Sequence, residues 1–151
     1  MKRFRFPLRP VAVLRAHKEA RAREAFGLAL QKYSAAQEEL RRIGVRMRAL
    51  EAALFNGREK SFRAAEAALL LADYRRECAA EVDGERLVIS TRAEAAKART
   101  EYLEAHRQLK IVSRLEDKAR ETHRRENNRI EQAELDELAG NRRQQPFAFS
   151  L

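Results

Sequence analysis

The sequence predicts an all-α fold: a long antiparallel two-helix coiled-coil hairpin with a helical tip segment, one coiled-coil domain over residues 1–151. Three observations predict it. Phe26, Ala29, Tyr33, Ala36, Leu40, Ile43, Met47, Leu50 and Leu54 follow one another at alternating spacings of three and four, the a/d seam of a coiled coil. The three prolines lie near the ends, at Pro7, Pro10 and Pro146, so nothing in the 135 residues between Pro10 and Pro146 forbids helix. Charged residues make up 36% of the chain, there is no Trp, and Ala, Glu, Arg and Leu dominate, which is the bias of long helices.

Residues 1–10 read as an extended basic lead-in. Phe4, Phe6 and Leu8 alternate with Arg3, Arg5 and Arg9, and the two prolines keep the stretch out of regular helix. Helix one is expected over 11–55, with Pro10 suited to its first turn. Val11, Leu14, Lys18 and Ala22 precede the Phe26 seam out of phase with it, which predicts a stutter or stammer. Gly27 and Gly44 each cost a helix about 1 kcal/mol relative to Ala, and close approach of a second backbone is the benefit expected of them.

Asn56-Gly57 reads as a stop, and Ser61 as an N-cap for Phe62, Ala65, Leu69 and Ala72. Asp83-Gly84 is a second break, and Val88-Ile89-Ser90-Thr91 is locally weak for helix. Residues 56–89 are therefore a partly helical tip segment. A third helix is expected over 90–139, ended by Gly140, with residues 140–151 as a basic and aromatic tail. Its seam runs Ala95, Ala98, Tyr102, Ala105, Leu109, Val112, Glu116, Ala119, His123, Glu126, Ile130 and Ala133. Helices one and three match in length and so can lie antiparallel. Many Ala, together with Glu116, His123 and Glu126 at core phase, predict that the half nearest the termini is loosely held and completed by a partner.

The net charge of +9 is uneven: residues 1–25 hold eight Lys and Arg against Glu19 and Glu24. Long-range attraction should act there, toward an acidic protein, nucleic acid or anionic lipid. The single cysteine, Cys78, excludes an internal disulfide and fits a reducing compartment. Neither an 18-residue apolar run nor a secretory h-region is present, so a cytosolic helical protein is expected.

Catalytic chemistry finds no footing. His17, His106 and His123 have no metal-ligand spacing, Cys78 beside Arg75 and Arg76 reads as an ordinary helix cysteine, and no glycine-rich phosphate loop occurs. The reading is a protein that is not an enzyme and takes no cofactor, metal or small-molecule substrate. Three features stand above the helical background. Phe4-Arg5-Phe6 and Phe147-Ala148-Phe149 are aromatic ends that either clasp the open end of the hairpin or anchor in a partner. Leu69-Leu70-Leu71 cannot all face one seam, so at least one leucine looks outward, toward the rest of the tip or a docking partner.

The third feature is a resemblance. The stretch from Leu109 to Arg143 carries Leu115, Lys118, Arg125, Glu126, Glu131, Gln132, Leu135, Asp136, Glu137 and Ala139 in the order of the FliJ family's carboxy-terminal signature. Phe4, Phe6, Leu8, Val11, Leu14, Arg15, Glu19 and Ala22 resemble its opening, with one extra residue before Val11, and Gly57 stands at the family's mid-chain glycine. The resemblance implies a cytoplasmic stalk of the bacterial flagellar type III export apparatus, peripherally associated with the inner membrane at the flagellar base. Its implied partners are the export ATPase hexamer, the cytoplasmic linker of the membrane export-gate protein, and export chaperones. Candidate ring-binding residues are Phe4, Arg5, Phe6, Arg9, Arg15, Arg125, Asp136 and Glu137. Candidate gate-binding residues are Phe62, Leu69, Leu70 and Tyr74. The alternatives are the stalk of a virulence type III system and, from another class, a basic coiled coil holding nucleic acid by its amino arm.

Overall fold

The computed structural model describes residues 3–59 and 63–144, and 95% of what it describes is helix. Two helices carry the fold: α1 spans Arg9–Glu59 and α2 spans Ala64–Gln144. By its contacts the chain divides into two compact units. One joins residues 1–18 to residues 106–151, and the other is residues 19–105. In each unit the two chain segments run antiparallel.

In the unit of residues 19–105, pairings descend along α2 as they ascend along α1. Phe26 stacks on Tyr102 with centroids 6.0 Å apart, Leu40 meets Gly84, Arg46 reaches Glu77, and Tyr74 donates to Glu51. The core is a thin line of small and medium residues. Ala36, Ile43, Thr91 and Ala95 are buried, and Tyr33, Leu40, Met47, Leu50 and Leu54 are half-buried around them. Two helices alone cannot enclose a large side chain, and none is fully buried among the described residues. The Thr91 hydroxyl is satisfied within its own helix, donating toward the carbonyls of Leu87 at 2.7 Å and Val88 at 3.2 Å.

Several expectations are corrected. Asp83-Gly84 is no break, and α2 is one helix of 81 residues against 51 in α1, so the two do not match in length. The β-branched stretch stays helical because Val88 and Thr91 fall on the inward phase and are covered. Tertiary burial there outweighs a propensity deficit of about half a kcal/mol per residue. Helix α1 runs past Asn56-Gly57 to Glu59, and α2 runs through Gly140 to Gln144. It is Gly84, not Gly27 or Gly44, that permits close approach. A Cβ at Gly84 would lie 3.2 Å from Leu40 Cδ1 and 3.5 Å from Ile43 Cδ1, whereas Gly27 and Gly44 have nothing within 4 Å.

No stutter is needed in α1. The half-buried positions ahead of Phe26 are Ala12, Arg15, Glu19 and Ala22, already in phase with the seam. The apolar pattern misled there because charged and small residues hold the inward positions, while Val11 and Leu14 are exposed. In α2, Val112 is buried and Leu109 half-buried, but Ile130 is 54% exposed and is not a seam residue.

Candidate functional site

The unit of residues 1–18 and 106–151 is built around the lead-in. Pro7 and Leu8 form a turn, the Arg9 amide donates to the Phe6 carbonyl at 3.3 Å, and the Ala12 amide donates to the Leu8 carbonyl at 3.0 Å. Pro10 sits in the first turn of α1, where its missing N–H is harmless. This turn lays Phe4 and Phe6 on α2. Phe6 is 9% exposed. Phe4 meets the His123 ring edge-on, with centroids 5.4 Å apart, and the Arg120 guanidinium lies 5.7 Å over the Phe4 ring.

Two of the three poor seam residues, Glu116 and His123, are thus met from within the chain. His123 takes Phe4, while Glu116 accepts a hydrogen bond from Arg120 at 3.1 Å and faces Arg9 at 3.9 Å. At these two positions aromatic and charged groups of the lead-in stand in for a hydrophobic seam, while Glu126 is exposed. Around them Phe4, Arg5, Phe6, Pro7, Arg9, Pro10, Val13, Glu116 and Arg120 line an open groove of about 950 Å³. Its rim is basic, with Arg5 and Arg9 exposed, and Val13 supplies an apolar wall. Such a surface can hold an acidic segment that also offers an apolar side chain.

Of the sequence-derived candidates here, Phe4, Arg5, Phe6 and Arg9 come together at this groove. Arg15 does not join them and lies half-buried on the inward side of α1. Arg125 is exposed and pairs with Glu121 one turn away. Asp136 accepts from Gln132 at 3.2 Å, and Glu137 is exposed beside it. Sixteen residues of helix separate Asp136 from Arg120, about 24 Å at 1.5 Å per residue, so the acidic pair belongs to a separate stretch. In that stretch Ile130, Leu135 and Leu138 are all exposed. Glu116 and Arg120, with Pro7, Pro10 and Val13, are the groove residues not singled out as candidates from sequence. The signal for Glu116 was an acid at seam phase opposite an Arg- and Phe-rich lead-in.

A second surface lies in the unit of residues 19–105, beside the junction of α1 and α2. Glu51, Leu54, Phe55, Gly57, Ala67, Leu71 and Tyr74 line a depression of about 510 Å³. Phe55 is 65% exposed and Leu69 is 67% exposed, and Leu71 is exposed as well. Two of the three consecutive leucines therefore look outward, while Leu70 is half-buried on the seam side. Tyr74 is half-buried and donates to Glu51 Oε1 at 2.9 Å. That carboxylate stabilises the neutral phenol and pushes its pKa up to about 12. Phe55 was missed in the sequence, although it stands one step off the seam after Leu54, and Leu71 was noted there only as part of the leucine run. Phe62 and Ser61, like Phe147 and Phe149, lie outside the described residues.

Among the described residues no cluster of His, Cys, Asp and Glu is arranged to hold a metal ion, and no helix is long and apolar enough to cross a membrane.

Comparison with known proteins adds two findings. The family described as flagellar FliJ protein matches residues 4–146. CT670 of Chlamydia trachomatis, a protein described as a YscO homolog, has a similar structure: TM-score 0.57, 15% identity, covering 94% of this chain and 96% of that one. At that identity the likeness is one of fold. No curated protein sequence matches the chain.

Proposed function

The chain belongs to the FliJ family, a family of non-enzymatic type III export components, and from that premise we propose that it is the stalk of a flagellar export apparatus. In this reading the unit holding both terminal segments binds the export ATPase ring through the Phe4–Arg9 groove and the exposed carboxy-terminal stretch of α2. The apolar surface of Phe55 and Leu71 binds the cytoplasmic linker of the export gate. The chain would act in the cytoplasm at the inner membrane and assist export chaperones there. The flagellar branch is preferred over a virulence system because both terminal signatures of the family stand in the sequence.

The observation that carries the reading is the basic aromatic groove at Phe4–Arg9. A rim of exposed arginines is suited to acidic subunit surfaces, and electrostatic complementarity of this kind steers encounter as well as fixing register. The distal surface supports a second contact, because the exposed Phe55 and Leu71 line one depression, the kind of apolar patch that partners use.

The test is a pull-down of the export ATPase and of the gate protein's cytoplasmic domain with three forms of the chain. Replacing Arg3, Arg5 and Arg9 with Ala should weaken ATPase binding and leave gate binding. Replacing Phe55 and Leu71 with Ser should do the reverse, and circular dichroism should show helicity retained in both. Arg15 is spared because it is half-buried. ATPase binding unchanged by the arginine variant would sink terminal entry, and gate binding unchanged by the distal variant would sink the second contact.

A further inference from the structure

Charge in the unit of residues 1–18 and 106–151 is segregated along α2. Residues 3–9 and 116–129, which build the groove and the helix it lies on, hold eight Lys and Arg against four acids. Residues 130–139, bounded by Arg129 and Arg142, hold four acids, Glu131, Glu134, Asp136 and Glu137, and no Lys, Arg or His. The patch is therefore neutral as a whole and dipolar along the helix, with a surplus of four positive charges at one end and four negative charges at the other.

The two ends also share a side of α2. Arg120, Asn127, Glu131, Glu134 and Leu138 follow at spacings of seven, four, three and four, and Leu135 adjoins them. Leu135 and Leu138 are 60% and 65% exposed. The acidic end thus offers carboxylates with two bare leucines. The groove end offers Arg5, Arg9 and Arg120 with the Phe4 ring and the exposed Val13. Each end is the complement of the other, in charge and in apolar content. They cannot meet within one chain, because both stand on one helix, where Glu134 lies fourteen residues and about 21 Å from Arg120.

We propose that two copies of the chain pair antiparallel through this patch, each setting its acidic end in the other's groove. A two-fold axis makes both contacts at once, since residue i meeting residue j requires j to meet i. The axis falls beside Asn127 and Asn128, which set no like charges against each other. Leu135 and Leu138 pack on Phe4 and Val13, and Glu131 and Glu134 face Arg5, Arg9 and Arg120. Charge selects this occupant. An acidic helix of another protein would satisfy the groove and leave the acidic end unanswered, whereas a second copy answers both. The pairing covers the groove proposed for the ATPase contact, so a self-paired chain is held off the ring until it dissociates. That consequence rests on the stalk reading; the pairing itself does not.

Sedimentation equilibrium of the full chain tests the pairing without the ATPase, so its failure leaves the ring contact to its own pull-down. The wild type should dimerise. Glu131→Lys with Glu134→Lys, and separately Arg5→Glu with Arg9→Glu, should each raise the dimer Kd by about tenfold or more, with helicity by circular dichroism unchanged. Leu135→Ser with Leu138→Ser should weaken the dimer as well. An equimolar mixture of the two charge-reversed chains should associate again. In that mixed pair the introduced lysines face the introduced glutamates, and the native arginines and carboxylates meet at the other contact. A wild type that stays monomeric up to about 200 µM, a dimer that neither reversal weakens, or a mixture that stays monomeric would overturn the proposal.

Discussion

At the scale of single residues, polar groups do work on this chain that apolar ones do in thicker proteins. Glu116 and His123 hold seam positions because Arg9, Arg120 and Phe4 answer them from the same unit. Arg46 divides its guanidinium between Glu77 at 3.0 Å and Glu39 at 3.3 Å. The second Glu77 oxygen is buried without a hydrogen-bond partner, so that pair contributes little net stability beyond the 0–1 kcal/mol or so typical of surface ion pairs. Tyr74 offers a sharper test. Its bond to Glu51 needs the phenol proton, so the folded state holds that proton more tightly than the unfolded chain. The bond's contribution is whole below pH about 10 and is lost as pH rises toward about 12. Tyr74→Phe should therefore flatten the stability loss across that window and remove one late-titrating phenol from the tyrosinate absorbance curve. A curve that loses only a phenol of ordinary pKa would show that the bond does not form in solution.

At the scale of elements, α2 shows how tertiary contact governs a helix that local signals would break. Asp83-Gly84 reads as a turn in isolation. In the folded chain Gly84 is inward, and its missing side chain lets Leu40 and Ile43 close on the backbone of α2. Three glycine substitutions separate propensity from packing. Gly27→Ala and Gly44→Ala meet open space, so each should gain about 0.5–1 kcal/mol from lower unfolded-state entropy and better helix propensity. Gly84→Ala earns the same propensity but forces Leu40 aside, and its gain should be clearly smaller or absent. Urea denaturation of the three variants measures the difference, and an equal gain at all three sites would refute the close packing at Gly84. The exposed Ile130 makes the complementary point. It keeps the seam's phase, yet the described part of the chain brings no helix against it.

At the scale of the whole molecule, function reads from where charge and exposed apolar groups collect. The +9 charge is concentrated in residues 1–25, which include the basic rim of the groove. The proposed ring contact should therefore be formed quickly at low salt. Its association rate should fall by about tenfold or more as ionic strength is raised well past physiological. The distal contact of Phe55 and Leu71 is apolar and should keep its rate, with its variants showing faster dissociation instead. Stopped-flow or surface-binding kinetics with the isolated ATPase and gate domain distinguishes the two, and a ring contact indifferent to salt would remove the charge argument.

The sequence by itself determined that the protein is all helix, that a seam runs from Phe26 to Leu54, and that its terminal signatures resemble the FliJ family. Periodicity, proline placement and motif order are local properties, and a linear chain displays them directly. Only the tertiary structure decided that residues 64–144 are one helix, that Gly84 is a contact and not a turn, and that Phe4 and Arg9 cover Glu116 and His123. It also decided which of the three tip leucines face water. Each of those outcomes depends on what lies across the helix pair, and the free energy of burial against a neighbour exceeds the fractions of a kcal/mol by which local propensity votes.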